Sequence, residues 1–147
     1  MKKILILIFY IFLGNCAGYE PILNNKNVNF YIGEITNKDK SNVTKKIITK
    51  LKPYQIVKNE LKINLEIESS VKDRVISRDS KGDAKIFEKS VQVKITSIKN
   101  NVVNQLVYSE TFSFNNQSNK FELNQYKKNI ENTLIDRILE QLIIDLR

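Results

Sequence analysis

Between Leu61 and Glu68 apolar and polar side chains alternate without a break. Leu61, Ile63, Leu65 and Ile67 fall on one side, and Lys62, Asn64, Glu66 and Glu68 fall on the other. A period of two is the mark of a β-strand with one face buried and one in water. The pattern returns in Val91, Val93 and Ile95, and again in Leu106, Tyr108, Phe112 and Phe114. Asn100-Asn101 between those two runs suits a two-residue hairpin turn. Ser80-Lys81-Gly82-Asp83 supplies turn chemistry ahead of Val91, with Gly82 free to take a positive φ. Three consecutive strands are therefore expected to form a meander, its first hairpin long and basic at the tip.

The rest of the chain has to cover the apolar face of such a sheet. Val28, Phe30 and Ile32 alternate with Asn29 and Tyr31 and read as a first strand. Asn42 is expected to cap a short helix in which Val43, Ile47 and Leu51 make one stripe, and Pro53 is expected to end it. From Phe121 to Leu146 the period changes. Leu123, Tyr126, Ile130, Leu134, Ile138 and Leu142 recur every three or four residues, opposite Lys127, Lys128, Glu131, Asp136 and Glu140. Asn119 or Ser118 would cap this helix, whose roughly 26 residues would run about 39 Å. The order β-α-β-β-β-α predicts an α+β two-layer sandwich, a four-stranded mixed sheet with two helices on one face.

The chain opens with Lys2 and Lys3, then ten uncharged residues from Ile4 to Leu13. That run is about half the length a spanning helix needs and matches an export signal. Leu13-Gly14-Asn15-Cys16 resembles the lipobox of bacterial lipoproteins, in which the cysteine is acylated and becomes the new amino terminus; Asn15 stands where Gly, Ala or Ser is usual. Residues 1–15 are thus expected to be a lipoprotein signal peptide, 16–27 a lipidated tether and 28–147 one domain. Cys16, the only cysteine, is the expected point of lipid attachment. A lone thiol makes no internal disulfide, so an anchor accounts for it most simply.

Composition argues against catalysis. There is no histidine and no tryptophan, and the four glycines (Gly14, Gly18, Gly33 and Gly82) assemble no phosphate loop or dinucleotide fingerprint. Without histidine a Ser-His-Asp arrangement is excluded, and metal sites lose their commonest ligand. Glu66 and Glu68 are two apart on one strand face, which reads as a solvated sheet surface. The chain is expected to be a non-enzyme with no catalytic residue, metal site or cofactor. Of 24 basic residues, Lys2 and Lys3 leave with the signal, and the remaining 22 outweigh 16 acidic ones. Such a surface favours anionic partners, and export argues against nucleic acid. Lys72, Arg74, Arg78, Lys81 and Lys85 concentrate positive charge on the first hairpin and are the candidate contacts for an anionic lipid or phosphorylated glycolipid. The competing reading is a solvated hairpin whose charges keep a sheet edge from pairing with other chains.

These landmarks together resemble the LPS-assembly lipoprotein (LptE) family, particularly its small alphaproteobacterial members. The resemblance rests on the lipobox leading into Cys16-Ala17-Gly18-Tyr19-Glu20-Pro21 and on the basic hairpin around Asp79-Ser80-Lys81-Gly82. It rests also on a last strand running through Phe114-Asn115-Asn116 into Ser118-Asn119-Lys120-Phe121-Glu122-Leu123 and a long terminal helix. Ala17 is a departure, since family members usually pass directly from Cys to Gly. The resemblance implies an outer-membrane lipoprotein, lipid-anchored on the periplasmic side. It implies that the protein partners the β-barrel of the lipopolysaccharide export machinery (LptD-like) as plug and assembly factor. The alternative is an envelope lipoprotein of another kind, a binding or scaffold module for a different partner.

Overall fold

A computed structural model describes residues 28–56 and 61–147. The expected signal segment, Cys16 and the tether through residue 27 lie outside the described residues. The elements are β1 (Phe30–Asn37), α1 (Asn42–Leu51), α2 (Pro53–Ile56), β2 (Leu61–Arg78), β3 (Ala84–Lys99), β4 (Val102–Asn115) and α3 (Lys120–Asp145). One mixed sheet runs in the order β1-β2-β3-β4. β1 is parallel to β2, and the other neighbours are antiparallel. The α+β two-layer sandwich expected from the sequence is the observed architecture.

The alternating rows make the floor of the core. Phe30 and Ile32 of β1, Ile63, Leu65 and Ile67 of β2, and Val91, Val93 and Ile95 of β3 are all buried. Over them lie Val43, Ile47 and Leu51 of α1, Tyr54 of α2, and a broad stripe of α3 from Ile130 to Ile143. Burying each large aliphatic side chain contributes about 1.5–3 kcal/mol, so this seam supplies most of the cohesion. Asn100 and Asn101 take φ of 49° and 65°, both positive, as a hairpin turn matched to strand twist requires. Gly82 has φ of 89° at the tip of the β2–β3 hairpin.

Local expectations shift in three places. Ser41, not Asn42, caps α1: its backbone is extended and its hydroxyl accepts from the Thr44 N–H, which leaves Asn42 as the first helical residue. Pro53 does close α1, yet Lys52 keeps right-handed helical geometry. Pro53 then opens α2, a position where its missing N–H is no loss. As the expected long first hairpin requires, β2 stays extended to Arg78, the β3 backbone pairing with it even where its apolar face fades. Lys127 and Glu131, expected on the solvent side of α3, instead turn toward the sheet and α1. The Lys127 ammonium lies 4.6 Å from the centre of the Phe87 ring.

Two polar devices pin the layers. At the start of α1 the Asp39 carboxylate accepts from the Ser41 N–H at 2.9 Å, the Thr44 hydroxyl at 3.1 Å and the Ser69 hydroxyl at 3.2 Å, as well as from the Ser69 N–H. Helix and β2 are thereby joined at one carboxylate. The turn also places Lys40 at φ 58°, with its N–H donating to Asn37 Oδ1 at 2.8 Å. Partial burial alone pushes the Asp39 carboxyl up. The hydrogen bonds donated by Ser41, Ser69 and Thr44 outweigh it and hold the pKa below the ordinary aspartate value.

The second device is ionic. Lys89 sits in the core-facing row of β3 and its side chain is only 7% exposed. Its ammonium lies 2.9 Å from Asp73 on the paired position of β2 and 3.4 Å from Glu131 on α3. Lys46 of α1 reaches the same Glu131 at 2.7 Å, and Lys127 lies 3.6 Å from Asp73. Sheet and both long helices therefore meet in one alternating chain of charges.

Asp39→Asn is expected to cost about 1–2 kcal/mol at neutral pH, the loss of charged hydrogen-bond acceptance. A depressed folded-state pKa gives stability that is present above the unfolded value and lost as pH falls through the lower folded value. Urea midpoints of the two proteins should therefore differ by a constant amount down to about pH 5 and converge below about pH 4. Curves that stay parallel in acid would contradict the assignment. Lys89→Met should destabilise by about 2 kcal/mol, below the ~3–5 kcal/mol of a fully buried broken pair because Asp73 and Glu131 keep other cations. Adding Asp73→Leu should recover at least half of that loss in the same titration.

Candidate functional site

The β2–β3 hairpin projects beyond the helical cover. α1 packs on the near half of β2 and α3 mainly on β3 and β4, so the distal half of β2 is thinly covered, chiefly by Lys127 of α3 reaching Asp73. Val71, Val75 and Ile76 are consequently 37%, 36% and 45% exposed. Two rings of the sheet close the cover at this end: Phe87 stacks on Phe114 at 5.8 Å, and Tyr126 of α3 meets Phe114 edge-on at 5.7 Å.

All five candidate cations are exposed, but they are not one cluster. Lys72 and Arg74 alternate onto the sheet face away from the helices. Between Val75 and Arg78 the register with β3 shifts twice, and the turn rather than the pleat then positions Arg78, Lys81 and Lys85. From Lys72 to the tip is about 26 Å at ~3.3 Å per residue. The turn itself is tightly made. Asp79 Oδ1 accepts from the N–H groups of Lys81 and Asp83 at 2.9 Å each, and Arg78 donates to the Gly82 carbonyl at 2.8 Å. Arg74 is committed to Glu88 across the strands, and that hydrogen bond, with Glu88's charge, raises its pKa further.

Asp73, Asp79, Asp83 and Glu88 thus stand among the five cations. Lys72, Lys81 and Lys85 form no ion pair among the described residues. The surface therefore offers three ammonium groups outside any ion pair, two arginines held by local partners, and exposed valine and isoleucine on the same hairpin. That combination can hold an amphiphile whose phosphates and acyl chains lie side by side. Among the described residues no three His, Cys, Asp or Glu side chains are grouped so as to hold a metal ion.

A second lysine-rich surface lies between α1 and α3. Its open groove of about 910 Å³ is lined by Lys45, Lys46, Lys50, Lys128, Glu131, Asn132 and Asp136. Lys46 and Lys50 are already engaged with Glu131 and Asp136 at 2.7 and 2.6 Å, so this groove is chiefly an ion-paired helix seam. Lys89 and Asp73, the centre of the ion-pair network, are not among the residues the sequence singles out. A signal existed: Lys89 falls in phase with Val91, Val93 and Ile95, where a lysine needs a partner.

No family model matches the sequence, and no curated protein matches it. Solved structures do match. The fold is similar to that of rare lipoprotein B from Shewanella oneidensis, with a TM-score of 0.53 and 13% identity, over 75% of this chain and 93% of that one. It is also similar to an uncharacterized lipoprotein B from Nitrosomonas europaea, with a TM-score of 0.54 and 11% identity, over 86% and 88% of the two chains. At such identities the likeness speaks to fold alone: this chain has the sandwich found in these bacterial lipoproteins.

Proposed function

We propose that this chain is an outer-membrane lipoprotein, anchored through Cys16 on the periplasmic side, that partners a β-barrel translocon in moving lipopolysaccharide to the outer leaflet. It acts there as plug and assembly factor and performs no chemistry of its own. The observation that carries the reading is a conjunction. Leu13-Gly14-Asn15-Cys16 stands ahead of a domain with the fold of bacterial lipoproteins, and that domain projects an exposed hairpin carrying both cations and apolar side chains. A tether of about a dozen residues spans at most about 40 Å when extended, which keeps the domain beside the membrane. No helix among the described residues is long and apolar enough to cross a membrane; the attachment in this reading is the acylated sulfur of Cys16.

The hairpin's role follows from its chemistry. Lipopolysaccharide presents phosphates next to a dense acyl surface. Arg78, Lys81 and Lys85 at the tip meet the phosphates, and Val71, Val75 and Ile76 meet the apolar margin. Lys72 and Arg74, set back on the open sheet face, extend the contact along the strand.

Affinity purification from gently solubilised outer membranes should recover a lipopolysaccharide-export barrel in one-to-one ratio with this chain. Recovery of a different envelope client in its place would overturn the partnership. Replacing Arg74, Arg78 and Lys81 together by Gln should weaken lipopolysaccharide retention in vitro at least tenfold while lowering the thermal midpoint only slightly, since the bonds Arg74 and Arg78 make are solvent-exposed. Full retention by the triple variant would remove the hairpin from the binding surface.

A further inference from the structure

The two edges of the sheet are treated differently. β1 is short, and its register with β2 is interrupted between Ile32 and Ile35. Its Gly33 carbonyl accepts from the Gln55 side chain at 3.0 Å. β4 has none of this protection. It runs fourteen residues with unbroken register against β3, from Ile86 opposite Asn115 to Lys99 opposite Val102. The strand contains no lysine, proline or glycine, and its one charge, Glu110, is met by Arg137 of α3 at 3.8 Å. Val102, Val103, Val107 and Phe112 are 60%, 61%, 57% and 38% exposed. A long edge in unbroken register whose single charge is already paired is a template for another strand, and natural sheets ordinarily blunt such edges. Beside it, Phe112, Tyr126, Asn129, Ile130, Thr133 and Leu134 line a small apolar slot of about 170 Å³ between β4 and α3.

We infer that in the free protein β4 pairs antiparallel with β4 of a second copy, joining two four-stranded sheets into one across a two-fold axis. The strand's own sequence selects the register. To keep both helical layers on one face, residues of like parity must oppose one another. Centring the axis on Glu110 would oppose two carboxylates, and centring it on Tyr108 would set the aliphatic Leu106 against the Glu110 carboxylate. Centring it on Ser109 opposes Leu106 to Phe112, Tyr108 to Glu110 and Val107 to Thr111, with no like charges facing. Leu106 of each copy then borders the apolar slot of the other. This edge is complementary to itself in charge and in side-chain pattern, which is what an isologous contact requires. The inference concerns the chain before it meets any other protein and does not depend on the function proposed above.

Sedimentation equilibrium on the full chain carrying Cys16→Ala should show a species of twice the chain mass, growing with concentration. In that background Ser109→Cys sits on the axis, within disulfide reach of its counterpart, and mild oxidation should convert most of it to a covalent dimer. Val103→Cys, about 40 Å from its counterpart at ~3.4 Å per residue, should not crosslink. Val107→Lys with Thr111→Lys opposes lysines twice by symmetry and should restore the monomer, with far-UV dichroism unchanged because both sites are exposed. A monomer at every concentration would overturn the inference, as would a dimer that survives the lysine pair or crosslinks equally at Val103→Cys. A monomer in which Ser109→Cys is shielded from alkylation by copurified lipid would give the edge to an acyl chain and overturn it as well.

Discussion

The molecule depends on a sheet that has only one apolar face. Once Ile63, Leu65, Ile67, Val91, Val93 and Ile95 point the same way, helices must cover that side and water must meet the other. α3 provides most of the cover, its buried stripe running from Ile130 to Ile143. The cover is narrower than the sheet is long, and the features of interest follow from that mismatch. The β2–β3 hairpin overhangs the helices and exposes apolar side chains among cations. The β4 edge is left open beside a slot that α3 does not fill.

Within the seam, the ionic chain through Lys89 fixes which part of α3 lies on which part of the sheet. Apolar packing sets the register along the seam less sharply than charge does, since cores accept varied hydrophobic neighbours when volume and patterning are kept. A buried ammonium tolerates only positions where carboxylates reach it. Asp73 from β2 and Glu131 from α3 meet that need together, and Lys46 extends the link to α1. Because breaking such a pair is costlier than never having had it, slipped arrangements of the helix are disfavoured more than the native one is stabilised.

Much of this was legible in the residues. The strand rows, the Asn100-Asn101 turn, the Gly82 turn and the change of period at Phe121 are local signals, and the elements they predict stand where expected. What escaped was set by partners distant in sequence. Ser41 rather than Asn42 caps α1 because Asp39 and Ser69 hold that turn in place. Lys127 and Glu131 look solvent-facing on a helical wheel, but the network with Asp73 and Lys89 draws them inward. The five hairpin cations were plain in the sequence. That Arg74 and Arg78 would be occupied by Glu88 and the Gly82 carbonyl needed the pairing of the strands.

The functional account joins this sandwich to a membrane through one atom, the sulfur of Cys16. A domain without that link is a small basic sandwich with no address, and the barrel partnership would have no membrane to keep it beside. Intact-mass and amino-terminal analysis of the chain isolated from its own cells tests the link directly. The account predicts an amino terminus at Cys16 carrying a diacylglyceryl group and an additional acyl chain; a free thiol at Cys16, or a chain beginning at Ala17, would contradict it.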